Sequence, residues 1–276
     1  MSRIAARFAQ LKAEGRGALM PFIEAYDPDP ATSMALLRCL PGAGADLIEL
    51  GVPFTDPMAD GPTVQLAGQR ALKAGGTLAG ALAMVRDFRR EDDETPIVLM
   101  GYLNPILSYG EERFCRDAGA SGVDGLIVVD MPPEEADALA PHAAAEGLDL
   151  IRLIAPTTDD ARLPKVLAGT SGFIYYVAIA GITGTRSASR DVLAEAIPRV
   201  RKHTDLPIAI GFGVRTPQQA AEAVQIADGA VVASALIDTL AKSLDDKGRA
   251  RPDTVRKVLD QVRELSEAVR GARVPA

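Results

Sequence analysis

Asp46-Leu-Ile-Glu-Leu-Gly-Val-Pro-Phe-Thr-Asp-Pro-Met-Ala-Asp-Gly-Pro62 begins as an apolar strand and ends as a loop rich in Pro and Asp. Glu49 stands in the apolar part, between Ile48 and Leu50, and Asp60 stands in the loop. An ionised carboxylate is costly to bury without partners, so Glu49 needs a reason to be there. One reason is catalysis, because burial lifts a carboxyl pKa towards the working pH. The other is a structural Glu satisfied by an Arg or by backbone N–H groups. The stretch alone leaves both open.

Outward from it, the same unit repeats. Short apolar runs bounded by Gly, Pro or Asp read as strands over 17–23, 96–102, 124–130, 148–154, 172–177, 207–213 and 229–233. Between them, helical patterns cover 30–40, 63–74, 78–90, 111–118, 133–146, 159–167, 190–203 and 217–226. A short amphipathic helix precedes the first strand. A long last helix carries Val255, Val258, Leu259, Val262, Leu265 and Val269 at helical spacing. The strands are continuous apolar runs, as in a parallel sheet covered on both faces. Eight strand–helix units in a chain of 276 residues fit a single (β/α)8 TIM barrel with an extra N-terminal helix, one domain over 1–276. A doubly wound sheet is the alternative, but no G-x-G-x-x-G follows the first strand.

Composition narrows the function. Net charge is −7, against a nucleic-acid partner, whose phosphates need a basic footprint. No stretch approaches about 18 uninterrupted apolar residues, the length of a membrane span, and the N-terminus lacks a signal peptide's apolar core. A cytoplasmic protein is expected. The two cysteines, Cys39 and Cys115, read as small buried hydrophobes, and with two isolated histidines, His142 and His203, no metal cluster is expected.

Barrel active sites lie at the C-terminal ends of the strands. If Leu47, Glu49 and Gly51 face inward, Glu49 projects into the mouth and Asp60 lies on the loop above it. Two carboxyls in different environments suit proton transfer in two directions: Glu49 with a raised pKa, Asp60 ionised. By the same parity Phe22, Met100, Ile127, Val129, Leu153, Tyr175 and Phe212 face the interior near its top, as an apolar pocket for a flat ligand or as ordinary core. A buried Tyr175 hydroxyl wants a partner. Glycine-rich loops end at Gly184 and Gly213, and Ala233-Ser234 opens a further helix. This order matches the phosphate sites of many barrels, built from late loops and a helix N-terminus; tight turns are the plain alternative.

Residues 50–62, with Pro21-Phe22, Asp27-Pro28, Gly101-Tyr-Leu-Asn-Pro105, Gly122-Val-Asp-Gly125, Asp130, Ile154-Ala-Pro156, Tyr175, Gly181-Ile-Thr-Gly184 and Gly211-Phe-Gly213, resemble the tryptophan synthase alpha subunit family over nearly the whole chain. The resemblance implies a lyase that splits indole-3-glycerol phosphate into indole and glyceraldehyde 3-phosphate. Glu49 is then the principal acid–base and Asp60 the partner of the indole N–H. Tyr175 joins them as a catalytic candidate, Thr183 contacts substrate, and Gly184, Gly213, Ala233 and Ser234 hold phosphate. The family needs no cofactor in this subunit. It works with a beta subunit carrying pyridoxal phosphate in an alpha2-beta2 complex. Loop 53–60 lies near that partner, and 181–190 closes over the site. A catalytically weak activating subunit and a stand-alone indole-releasing lyase are the alternatives.

Some residues depart from the family's habit. Glu24 and Tyr26 stand where Thr and Gly are usual, Ala178-Ile179 replaces a more polar pair, and Ala233 replaces a Gly. Glu24 shares parity with Phe22, so it either brings a third carboxyl to the mouth, raising the pKa of Glu49 further, or points away. Ala233 is costly only if its φ is positive.

Overall fold

The computed structural model describes residues 2–178, 190–211 and 213–272. Its strands are β1 (Ala18–Glu24), β2 (Ile48–Gly51), β3 (Ile97–Gly101), β4 (Gly125–Val128), β5 (Asp149–Leu150), β6 (Arg152–Ile154), β7 (Ile174–Val177), β8 (Ile208–Gly211) and β9 (Gly229–Val232). All pair in parallel, in the spatial order β5-β4-β3-β2-β1-β9-β8-β7-β6. β5 and β6 are two halves of the run expected over 148–154. The first half pairs with β4 and the second with β7, and Ile151 between them donates its N–H to the Leu126 carbonyl at 3.0 Å. The two ends of the sheet therefore meet at Ile151, and the sheet closes into the expected (β/α)8 barrel.

Helices α1 (Arg3–Ala13), α2 (Pro30–Cys39), α3 (Pro62–Lys73), α4 (Leu78–Phe88), α5 (Leu103–Tyr109), α6 (Glu111–Ser121), α7 (Ala140–Ala145), α8 (Leu163–Leu167), α9 (Arg190–Arg201), α10 (Pro217–Val224), α11 (Ser234–Ser243) and α12 (Thr254–Gly271) complete the chain. Among the described residues no helix is long and apolar enough to cross a membrane.

Alternation along the strands sorts the apolar side chains into two bodies. Ile48, Leu50, Ile97, Leu99, Leu126 and Ile174 face the helices. Met20, Leu47, Val98, Ile127, Phe173, Tyr175, Ala209 and Val231 fill the interior, where Ile4, Phe8 and Leu11 of α1 join them. The N-terminal helix is thus the floor of the barrel. Ser2 caps it, accepting the Ala5 N–H, and donates to Asp149 at 2.6 Å.

Three aspartates lock the floor end by one device. Asp46 accepts the N–H of Leu19 (2.9 Å), Asp124 that of Ile97 (2.7 Å) and Asp228 that of Ile208 (2.7 Å). Each stands just before its own strand and ties down the start of the neighbouring one. Each is paired with arginine: Arg16 with Asp46, Arg3 and Arg89 with Asp124, Arg201 with Asp228.

Several expectations need correction. The helix expected over 133–146 is a 3-10 turn, Pro133–Ala138, followed by α7. Pro141 has no N–H to continue a helical ladder from the preceding turn. The helix expected from 159 begins at Leu163, because the Asp159 carboxylate takes the Arg162 N–H (2.8 Å) and holds a turn there. α5 was not anticipated. Cys115 is buried, but Cys39, at the end of α2, is exposed rather than buried.

Candidate active site

The C-terminal ends of the strands surround a cavity of about 330 Å³. Glu49, Asp60, Tyr175, Phe22, Met100, Val129, Gly213, Ala233 and Ser234 all line it, as the parity and loop arguments required. Ile127 and Leu153 do not. They pack in the barrel interior beside Tyr175 but lie outside the lining, which draws mainly on β1 to β3 and the late loops. Thr183, Gly184 and Phe212 lie outside the described residues, as do Ile179 and the greater part of the closing loop.

Glu49 pairs in register with Phe22 of β1 and Val98 of β3. It is fully buried, and neither carboxyl oxygen has a hydrogen-bond partner. Of the two readings that the sequence left open, the Glu satisfied by Arg or backbone is therefore not what the structure holds. Burial alone pushes the group up to about 8, so at neutral pH it carries its proton.

Asp60 differs from expectation. Burial raises it to about 6, with the Tyr102 hydroxyl pulling the other way by donating to it. It remains largely ionised at neutral pH, but it is not an ordinary solvated loop carboxylate. Tyr102 also accepts the Ala59 N–H at 3.0 Å, so one phenol fixes both the loop and its acid. Tyr102→Phe is expected to raise the Asp60 pKa further and, if Asp60 and Glu49 set the two limbs of the pH–rate profile, to move the acid limb to higher pH while the other stays. A pH–rate profile reads this directly, and an unmoved acid limb would remove Tyr102 from the assignment.

Glu24 does face the cavity. Its carboxyl lies over Gly51, its register partner, where a Cβ would stand 2.2 Å from Glu24 Oε2 and 2.5 Å from Phe22 Cζ. Only glycine leaves that space. Burial lifts Glu24 well above the usual range, and the charges of Asp60 and Asp27 add to this. The expected push of Glu24 on Glu49 is not seen: desolvation accounts for the Glu49 shift. Behind Glu24, Asp27 is held by Arg70 through two bonds of 2.6 and 2.7 Å. Tyr26 adopts φ 72°, which explains why glycine suits that position, and its ring packs on Gly80. Tyr175 lies over Gly211, whose missing side chain leaves room for the phenol. Burial raises its pKa, reinforced by Glu49 and Asp60.

At the opposite wall, Gly213 (φ 98°) and the N-terminus of α11 face the cavity. Ala233 has φ −115°, outside the left-handed region, so alanine costs no strain there. The first N–H groups of a helix have no partners within it and favour an anion. Sequence reasoning missed Tyr102, Phe54, Val64 and Arg215, all lining the cavity. Tyr102 lay inside the quoted Gly101–Pro105 motif without a role, and loop side chains such as Arg215 follow no periodicity. Among the described residues no group of three His, Cys, Asp or Glu could hold a metal.

A closed barrel whose mouth joins a desolvated, proton-bearing carboxyl, a second carboxylate and an anion-facing helix end defines an acid–base enzyme for an anionic substrate. Residues 8–270 match the family model described as tryptophan synthase alpha chain. The chain is 70% identical over 276 residues to the tryptophan synthase alpha chain of Granulibacter bethesdensis, covering 100% of this chain and 99% of that one. It is 67% identical over 273 residues to that of Gluconacetobacter diazotrophicus, covering 99% and 100%. The crystal structure of tryptophan synthase subunit alpha from Legionella pneumophila superposes with a TM-score of 0.89 at 37% identity, covering 98% of each chain. The chain belongs to the tryptophan synthase alpha chain family.

Proposed function

We propose that this barrel cleaves indole-3-glycerol phosphate by retro-aldol chemistry, with Glu49 as the acid–base and Asp60 as the anchor of the indole N–H. The observation that carries the assignment is the Glu49 carboxyl, fully buried, without hydrogen bonds and protonated at neutral pH.

The protons balance on these two groups. Protonated Glu49 gives its proton to indole C3, the carbon bearing the glycerol chain, and the ring becomes cationic. Ionised Asp60 faces the N–H, where that charge concentrates, and stabilises it without desolvation at the moment of reaction. Glu49, now a carboxylate in a dry site, takes the proton of the hydroxyl on the adjacent chain carbon. The carbon–carbon bond breaks, its electrons neutralise the ring, and indole and glyceraldehyde 3-phosphate result. Glu49 ends protonated, as it began. Phe22, Met100 and Val129 supply an apolar bed for a flat ring, and Tyr175 bounds the same space. Ser234 and Gly213 present backbone N–H groups to the phosphate, with Gly184, Thr183 and Phe212 proposed to complete the site.

The pH dependence tests the roles. With Asp60 ionised and Glu49 protonated as the working form, kcat/KM is expected to be bell-shaped, with limbs near 6 and 8. Asp60→Asn should depress turnover by about a hundredfold and remove the acid limb. A flat profile, or an Asp60→Asn variant of normal rate, would sink the assignment.

The same reading makes the chain, one barrel domain over 1–276, the indole-supplying half of a complex with a pyridoxal-phosphate beta subunit in a cytoplasmic alpha2-beta2 assembly. Family membership supports it, as does a Mycobacterium tuberculosis structure described as tryptophan synthase (TM-score 0.88, 34% identity). So do Met58, Leu66 and Leu107, large apolar side chains exposed on the loop before α3, on α3 and on α5.

A further inference from the structure

The geometry points to Arg215 as a phosphate-binding residue that Asp238 holds ready beside the α11 N-terminus until the phosphate ester arrives. The inference rests on reading the site as one for a phosphate ester.

Charge is the first argument. Among the described residues lining the cavity, Glu24, Glu49 and Asp60 are carboxyls and Arg215 is the one cation. Asp60 is ionised there, so a dianionic phosphate entering the same mouth needs a positive counterweight, and helix dipoles supply only partial charge. Arg215 stands on the same loop as Gly213 and lines the cavity together with Ala233 and Ser234.

The second argument is how the residue is held. Its backbone is fixed by the capping box of α10: Gln219 Oε1 accepts the N–H of Arg215 (2.8 Å) and of Thr216 (3.2 Å), and Thr216 Oγ1 accepts the Gln219 N–H (3.2 Å). Its guanidinium pairs with Asp238, which lies on α11 about one turn beyond Ser234. Asp238 also accepts a bond from Thr63 of α3 at 3.3 Å. The side chain is therefore drawn along the helix that offers its N-terminus to the cavity. Guanidinium has five donors in a planar fork, so a phosphate can be bound while one edge stays on Asp238. Both side chains are partly exposed, 41% and 28%, so the pair itself is weak and yields readily to a dianion.

The test titrates inorganic phosphate and glycerol 3-phosphate into the full-length chain, and measures kcat and KM for indole-3-glycerol phosphate. Arg215→Gln is expected to weaken both phosphate ligands and raise KM by about tenfold, with kcat within about twofold, as for loss of one charge-assisted contact made equally in ground and transition states. Arg215→Lys should recover part of the loss. Asp238→Asn should tighten phosphate about threefold, and adding it to Arg215→Gln should change nothing more. Phosphate affinity unchanged in Arg215→Gln would overturn the inference. So would an Asp238→Asn variant that loses affinity as Arg215→Gln does, since the pair would then be a brace. The phosphate titration needs no turnover, so it decides the role of Arg215 even if the wild-type chain releases no indole and the functional reading fails.

Discussion

Glu49→Gln is expected to lower kcat for indole release by about 10²–10⁴-fold while glycerol 3-phosphate binding changes by less than about twofold. The amide has almost the shape of the acid it replaces but can neither give the proton to the ring nor take one from the hydroxyl. The same change should stabilise the fold, and in a pH-dependent way. In the folded state the Glu49 carboxyl titrates near 8, against an ordinary value of 4.5. The folded chain therefore binds more protons than the unfolded chain between these values, and wild-type stability falls as pH rises through that window. Glutamine does not titrate. The melting temperature of Glu49→Gln should pull ahead of wild type from about pH 4.5 upwards and reach its full lead above about pH 8. An inactive variant whose lead over wild type is no larger at pH 8 than at pH 5 would contradict the desolvated-acid account, whatever its kinetics.

The largest loss of stability is expected at the other end of the barrel. Asp124 is 5% exposed and receives three bonds, from Ile97 N–H (2.7 Å), Arg89 (2.6 Å) and Arg3 (3.0 Å). It fastens the start of β3, the residue following α4 and the helix that floors the barrel. The Arg89 side chain is only 9% exposed and also donates to the carbonyls of Gly122, Thr95 and Asp92. It cannot swing out to water without breaking those bonds. Asp124→Ala thus leaves a buried cation and an N–H without their acceptor, which typically costs about 3–5 kcal/mol. For a chain of this size that is roughly 10 °C in melting temperature. Denaturant unfolding measures it, and a loss under about 1 kcal/mol would show that water replaces the carboxylate. Activity at low temperature should survive, because Asp124 is remote from the cavity lining.

These two residues show why the chain is only partly legible. Strands such as β2, β3 and β8 announce themselves, because burial on both faces demands unbroken apolar runs. Glu49 interrupts such a run and so signals itself. Asp124 looks like any turn residue, and its role appears only when Arg3 and Arg89 arrive from distant parts of the sequence. The direction of Glu24 turned on a neighbour in space, Gly51, whose absent side chain leaves the carboxyl room to lie over the cavity. Asp60 read as a polar loop acid because Tyr102, which covers and bonds it, comes from the end of another strand. Pro141 and Asp159 mark local stops that periodicity overran, and α5 hides its turn behind a central proline. The departure at Ala233 could be judged only from a backbone angle.

The floor laid by α1 closes the base of the vessel. With Ile4, Phe8 and Leu11 sealed into the base among Met20, Leu47 and Val98, the described residues leave the mouth as the way in and the way out. On the proposed reaction, the ring lies deeper than the phosphate, which docks at the rim. Traffic is then last in, first out: glyceraldehyde phosphate must clear the doorway before indole can follow it. An excess of the phosphate product should therefore trap indole inside rather than merely compete with fresh substrate. Any route that hands indole to a partner ahead of that queue must pass sideways through the wall.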